Sequence, residues 1–131
     1  MDRRMYINII DKHPHMKYYM TEVLGSTTYA VIYRAKDGRL FEADLYNPDP
    51  FELPSDPAKM TEADQRLLFG HRMKTAMMAK GISQKSLVID LGSTANVISG
   101  YINGKNSPSV FKATKIASIL DIPLDELVCL F

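Results

Sequence analysis

Residues 81–105, Gly81-Ile82-Ser83-Gln84-Lys85-Ser86-Leu87-Val88-Ile89-Asp90-Leu91-Gly92-Ser93-Thr94-Ala95-Asn96-Val97-Ile98-Ser99-Gly100-Tyr101-Ile102-Asn103-Gly104-Lys105, decide the fold. Ser83 is placed to cap a short helix over 84–91, which Gly92 stops. Ser93 is placed to cap a second, from Thr94 to about Asn103, which Gly104 stops. A hydroxyl before the first turn accepts an otherwise orphaned N–H, and a glycine after the last turn reaches the left-handed conformation at no steric cost. The same punctuation continues outward. Thr61-Glu62-Ala63-Asp64 has the form of a capping box, opening a helix to about Lys80 that Gly81 ends. Downstream, Asn106-Ser107-Pro108 precedes a helix over 109–120, and Pro123 opens a last one through Leu127. Connections this short make the helices sharply angled neighbours in a compact five-helix bundle.

Two short helices separated by Gly92-Ser93 are a helix-turn-helix candidate. Residues 69–127 resemble the lambda-repressor-like, Xre-type helix-turn-helix family without a gap. The likeness rests on Phe69-Gly70-His71-Arg72-Met73, Gly81-Ile82-Ser83-Gln84, Leu87, Leu91-Gly92, Ile98, Asn103-Gly104-Lys105, Pro108-Ser109, Lys115-Ile116-Ala117, Leu120 and Leu124-Asp125-Glu126-Leu127, all in register. Three positions depart from the family. An Arg late in its first helix and a Glu late in its recognition helix are Met77 and Ile102 here, so a packing contact stands in for an ion pair, which spares two desolvations. The usual glycine after the fourth helix is Asp121.

The resemblance implies double-stranded DNA as partner, with helix 94–103 in the major groove. It places Thr94, Ala95, Asn96, Ser99 and Gly100 at base edges. An Asn96 amide suits bidentate pairing with adenine, Ala95 suits a thymine methyl, and Gly100 offers no side chain but close approach. The set holds no Arg or Gln, so DNA shape is expected to carry a larger share of the preference. Gln84 and Lys85 at the start of one helix, and Asn103 and Lys105 at the end of the next, are the expected phosphate ligands. Gln84 also reads as a plain first-turn residue, and Asn103 as a C-terminal cap.

Ahead of this region, residues 47–60 carry four prolines between Pro48 and Pro57 and read as an extended linker. The helix-turn-helix domain is then 61–131, and 1–46 is a small α+β accessory segment ordered strand, helix, hairpin. Met5 to Ile10 has the composition of a strand. Met16, Tyr19, Met20, Val23 and Leu24 follow helical spacing, giving a helix over 15–24. Thr27–Lys36 and Arg39–Tyr46 flank Asp37-Gly38, the signal of a hairpin with a two-residue turn over 27–46. That pairing puts Ala30, Ile32, Arg34, Phe41, Ala43 and Leu45 on a core face. Six of the seven tyrosines precede the linker, marking the segment as a candidate protein-binding or dimer surface. The apolar end, Leu127, Val128, Leu130 and Phe131, is a second candidate dimer surface. The whole chain is of the α+β class.

The formal charge is only +1, from 16 basic and 15 acidic residues. It is unevenly placed: from Arg66 to Leu120 there are eight basic residues and one acidic, whereas residues 1–60 have eight against nine. The surplus thus coincides with the surface expected to meet phosphates. No apolar run suits a transmembrane helix or secretion signal, which points to the cytoplasm. No enzyme motif, metal constellation or cofactor fingerprint stands out. His13 and His15 flank Pro14 without a third ligand and read as surface residues. His71 reads as solvent-facing, Met73, Met77 and Met78 as packing, and the single cysteine, Cys129, as a core or interface residue. The resulting expectation is a DNA-binding transcriptional regulator, a homodimeric repressor on a pseudo-palindromic operator. The alternative is an autoregulating antitoxin whose front segment binds a toxin.

Overall fold

The computed structural model describes residues 3–128, and these divide into two compact units at Met60/Thr61. The N-terminal unit runs α1 (Arg3–Lys12), α2 (Met16–Tyr19), β1 (Met20–Ser26), β2 (Ala30–Ala35), β3 (Leu40–Asp44) and β4 (Phe51–Leu53), then a 3-10 turn at Pro57–Lys59. Its strands form one antiparallel meander in the order β1-β2-β3-β4.

The expected strand at 5–10 is instead helix α1. Its apolar residues fall at helical spacing: Met5, Tyr6, Ile9 and Ile10 face the core, while Ile7 is half exposed. A run of six residues is too short for its composition alone to separate the two periods. The expected helix over 15–24 is a single turn, α2, followed by β1. The strand carries irregularities between Met20 and Glu22 and between Val23 and Gly25. A bulge adds a residue to one strand, so the inward-facing Met20 and Val23 stand three apart and imitate a helical stripe.

The hairpin forms between β2 and β3, but its loop has three residues. Ala35 N–H donates to the Arg39 carbonyl at 2.8 Å, and Gly38 N–H donates to the Ala35 carbonyl at 3.0 Å. Gly38 takes φ +89°, the positive-φ position that closes such a loop. Asp37 braces it, its carboxylate accepting from the Arg39 backbone at 3.1 Å and from the guanidinium at 2.8 Å. Those bonds from Arg39 hold the Asp37 carboxyl below its ordinary range.

The extra loop residue shifts the register by one, so Val31 faces Ala43 and Tyr33 faces Phe41. The face toward α1 is therefore Val31, Tyr33, Ala35, Phe41 and Ala43, not the mixed set expected. The Tyr33 and Phe41 rings stack at 5.6 Å, as directly paired residues can. The opposite face carries Ala30, Ile32 and Leu40, also buried. Part of the expected linker belongs to this sheet, since β4 pairs with β3 through Leu53–Leu40 and Phe51–Glu42. Pro50 and Pro54 flank it, which an edge strand tolerates because its outer donors need no partner.

His13 is a further correction. It is 1% exposed, and its Nε2 lies 2.7 Å from the Asp44 carbonyl, tying the end of α1 to β3. His15 is exposed and meets the Tyr19 ring edge-on.

The C-terminal unit has five helices: α3 (Glu62–Lys80), α4 (Gln84–Leu91), α5 (Ala95–Ile102), α6 (Val110–Leu120) and α7 (Asp125–Val128). The capping box at Thr61 forms in both directions. Donation from the Thr61 backbone N–H, then its hydroxyl, lowers the Asp64 pKa. That contribution to stability is present above the ordinary carboxylate range and is lost as pH falls through the depressed value. Ser83 caps α4 as expected, and Ser109, expected as the first residue of its helix, is instead the cap of α6, which begins at Val110. The cap of α5 is Thr94 rather than Ser93: the Thr94 hydroxyl accepts from Val97 N–H at 3.3 Å, so the helix begins one residue later. Asp121 ends α6 at φ 53°, the left-handed conformation that glycine would adopt with less strain.

Leu68, Met73, Ala76, Leu87, Ile98, Ile116, Leu120 and Leu127 form the buried interior of this unit. Met73 and Met77 are buried as expected, whereas Met78 is half exposed. The α3–α5 contact expected from Met77 and Ile102 is present. The two backbones meet closely at Gly70, where a Cβ would run into the carbonyl oxygens of Tyr101 and Ile102. Backbone cannot move aside as a side-chain tip can. Gly70→Ala should therefore cost about 3 kcal/mol, read as a lower urea midpoint at unchanged slope.

Candidate nucleic-acid interface

The turn between α4 and α5 is short because both helix ends are locally satisfied. Gly92 takes φ +61°, and Ser93 N–H donates to the Val88 carbonyl at 3.0 Å. Leu87 from α4 and Ile98 from α5 are wholly buried, fixing the two helices on the bundle. With Ile98 and Tyr101 inward, Thr94, Ala95 and Asn96 are left exposed on the first turn of α5. The Thr94 hydroxyl is engaged in capping, so it lies at the helix end with its position set by the backbone.

The remaining residues of the expected reading set differ. Ser99 is half buried, and its hydroxyl accepts from the Asn103 side-chain amide at 3.1 Å. Gly100 is buried, contrary to expectation, because the side chain of Asn106 lies over it. A helix face that is exposed in isolation is covered here by the loop that follows. Asn106 itself is exposed and was not singled out from the sequence. The available signal was a glycine in an outward-facing row, with an amide side chain a few residues beyond.

Gln84 and Lys85 are exposed at the first two positions of α4, immediately after its Ser83 cap. Asn103 and Lys105 are exposed just beyond α5, and Lys105 N–H donates to the Gly100 carbonyl at 2.9 Å. The expected phosphate ligands therefore sit at the ends of the two helices of the motif, with solvent access.

The basic surplus divides by role. Lys74, Lys80, Lys85, Lys105, Lys112 and Lys115 are exposed. Lys80 lies 3.8 Å from the Asp121 carboxylate. Arg66 contacts Glu62 at 3.4 Å, and its Nε donates to the Gly104 carbonyl at 3.3 Å, joining α3 to the loop after α5. Arg72 is 5% exposed and donates to the Glu126 carbonyl at 3.1 Å, anchoring α7. Two of the eight basic residues thus serve the fold.

His71 is partly buried rather than solvent-facing. Among the described residues, no group of three His, Cys, Asp or Glu side chains is placed to hold a metal ion, and no helix is long and apolar enough to cross a membrane. Cys129, Leu130 and Phe131 lie outside the described residues.

An exposed helix start, carried on a partner helix across a glycine turn and flanked by exposed lysines, defines a helix-turn-helix module. Residues 73–127 match the family model described as Helix-turn-helix. Through this C-terminal unit the chain belongs to the lambda-repressor-like, Xre-type helix-turn-helix family. Among solved structures it is similar to the restriction-modification controller protein C.AhdI from Aeromonas hydrophila, with 32% identity over 47% of this chain and 94% of that one, at TM-score 0.45. It is also similar to the DNA-binding domain of BldD, with 18% identity over 50% of this chain and 96% of that one, at TM-score 0.45. A hypothetical transcription factor, NHTF, from Neisseria shares 23% identity over 58% of this chain and 85% of that one, at TM-score 0.47. No curated protein matches the chain.

Arg72→Met should lower stability by about 2 kcal/mol. Amide hydrogen exchange over 125–128 should speed up, because the donor holding the Glu126 carbonyl is gone.

Proposed function

We infer that the protein is a sequence-specific, double-stranded DNA-binding transcriptional regulator that acts as a homodimeric repressor in the cytoplasm, without catalytic activity or cofactor. The observation that carries this reading is the exposed first turn of α5, Thr94 to Asn96, bracketed by exposed Gln84, Lys85, Asn103 and Lys105. A helix presenting its N-terminal residues between two phosphate-binding ends suits the major groove of a duplex. In this arrangement Ala95 and Asn96 meet base edges and Thr94 holds the helix start. Gln84 and Lys85 approach one phosphate through the N-terminus of α4, where unpaired N–H groups favour an anion. Asn103 and Lys105 approach another. Ser99 contributes through its bond to Asn103, and Gly100 is withdrawn from the reading set. Covering a promoter would block transcription sterically.

Dimerisation places two copies of α5 about 34 Å apart on a pseudo-palindrome. The surface best suited to self-association in the C-terminal unit is apolar and exposed: Phe111 is 87% exposed and Val110 74%, with Val128 half exposed. Leu127, by contrast, is buried and serves the interior. The antitoxin reading draws on a different feature, the exposed side chains of Tyr18 (75%) and Tyr19 (56%) in the N-terminal unit. A large aromatic body with a polar tip is common at protein interfaces.

Selection of bound sites from random duplex DNA, with light scattering on the free protein, tests the reading. A palindromic site and a dimer mass are expected, whereas salt-independent or absent binding would overturn it. Asn96→Ala should relax preference at one base pair per half-site by about 1–3 kcal/mol. Lys105→Ala should weaken binding equally on all sequences and lower the salt slope by about one. Phe111→Asp should move the light-scattering mass toward a monomer at unchanged circular dichroism.

A further inference from the structure

The N-terminal unit holds a cleft of about 180 Å³. All of its lining residues fall between His13 and Pro50, so it belongs to this unit alone. Its floor is His13, Met16, Tyr33 and Ala35, all buried. Its rim carries His15, Tyr19, Asp37 and Arg39, all exposed. Phe41, stacked on Tyr33 at 5.6 Å, also lines it.

The charges at the rim are already engaged. Arg39 Nε donates to the Asp37 carboxylate at 2.8 Å, and Arg39 Nη1 lies 3.7 Å from Glu52. An anionic guest would have to compete with both carboxylates. The same guanidinium sits 5.0 Å from the centre of the Phe41 ring, the place a cationic guest would take. Burial, then neighbouring Tyr19, pushes the Tyr33 hydroxyl up, so it stays an uncharged O–H. The cleft therefore suits a neutral guest with an apolar body.

The floor also holds a polar atom that lacks a partner. His13 Nε2 stands 2.7 Å from the Asp44 carbonyl, which can only accept, so Nε2 carries the proton. Nδ1 of the uncharged ring is then a lone-pair acceptor, buried and without a hydrogen bond. Buried polar atoms are nearly always satisfied, so a guest with a donor supplies what the floor is missing. Size points to one ring: a water takes about 30 Å³, and an apolar cavity of roughly 150 Å³ accepts benzene. We propose that this cleft binds a neutral, single-ring aromatic molecule bearing a hydroxyl or N–H. Its donor bonds to His13 Nδ1, and its ring packs against Met16, Tyr19 and Tyr33. This site stands apart from the DNA-binding reading and does not depend on it.

The test titrates the full chain with para-cresol and with its methyl ether, which keeps the ring but has no donor. Amide and histidine nitrogen resonances are followed. Para-cresol should saturate, with shifts confined to residues 13–50, and bind about tenfold tighter than the ether. Tyr19→Ala trims an exposed rim residue and should weaken both probes while keeping their ratio. His13→Phe should erase the ratio. Should His13→Phe fail to fold, the Nδ1 resonance of His13 in the parent decides instead: it should move with para-cresol and not with the ether. Equal affinity for the two probes, or an unmoved Nδ1 resonance, would overturn the role of His13. Shifts centred on residues 61–128, or none that saturate, would overturn the site.

Discussion

The C-terminal unit depends on how closely α3 can approach the end of α5. At Gly70 the backbone of α3 meets the carbonyls of Tyr101 and Ile102 with no side chain between. That contact sets where the last turn of α5 lies, while Leu87 and Ile98 set how α5 sits on α4. With both ends held, the outer face of α5 has a defined direction although the helix is only eight residues long. A helix of that length is marginal alone, so its order comes from packing rather than propensity. Arg66 and Arg72 extend the same logic with buried or half-buried bonds from α3 to the Gly104 and Glu126 carbonyls. Arg72 stands in the family's opening motif, and its task in this chain is to hold the bundle.

This division explains which parts were legible in the sequence. Helix starts and stops in the C-terminal unit are decided within three or four residues, by hydroxyl caps and by residues able to turn left-handed. Thr61, Ser83 and Gly81 therefore announced their elements. Ser93 and Thr94 were competing caps one residue apart, and the choice between them belongs to packing. In the N-terminal unit the signals were local too, but the outcome was not. An irregularity in β1 between Met20 and Glu22 stretched the spacing of Met20 and Val23 from two to three, and one added loop residue at Lys36–Asp37–Gly38 shifted the pairing of β2 with β3. Alternation along each strand was readable; pairing between strands was a property of the turn.

The candidate site divides along the same line. Thr94, Ala95 and Asn96 are exposed where the family alignment places them, because the inward row of α5 is set by its own apolar residues. Gly100 is not, because what covers it comes from beyond the helix. Asn106 was not singled out in the sequence: an asparagine in a turn has many uses, and only the missing Cβ on α5 shows that its side chain fills the space over Gly100. Likewise the count of basic residues located the surplus correctly but could not separate the exposed lysines from the arginines turned toward backbone carbonyls.

The side chains around the outward turn of α5 are hydroxyls, amides and a methyl: Thr94, Ala95, Asn96, Ser99, Asn103 and Asn106. None of them ionises anywhere near neutral pH. Discrimination built from such groups is uncoupled from protons, while attraction supplied by the surrounding lysines is coupled to dissolved ions. In the proposed mode of DNA binding, how tightly this surface holds and how finely it chooses thus answer to different variables of the solution. A shift in salt would change occupancy without changing which bases are preferred.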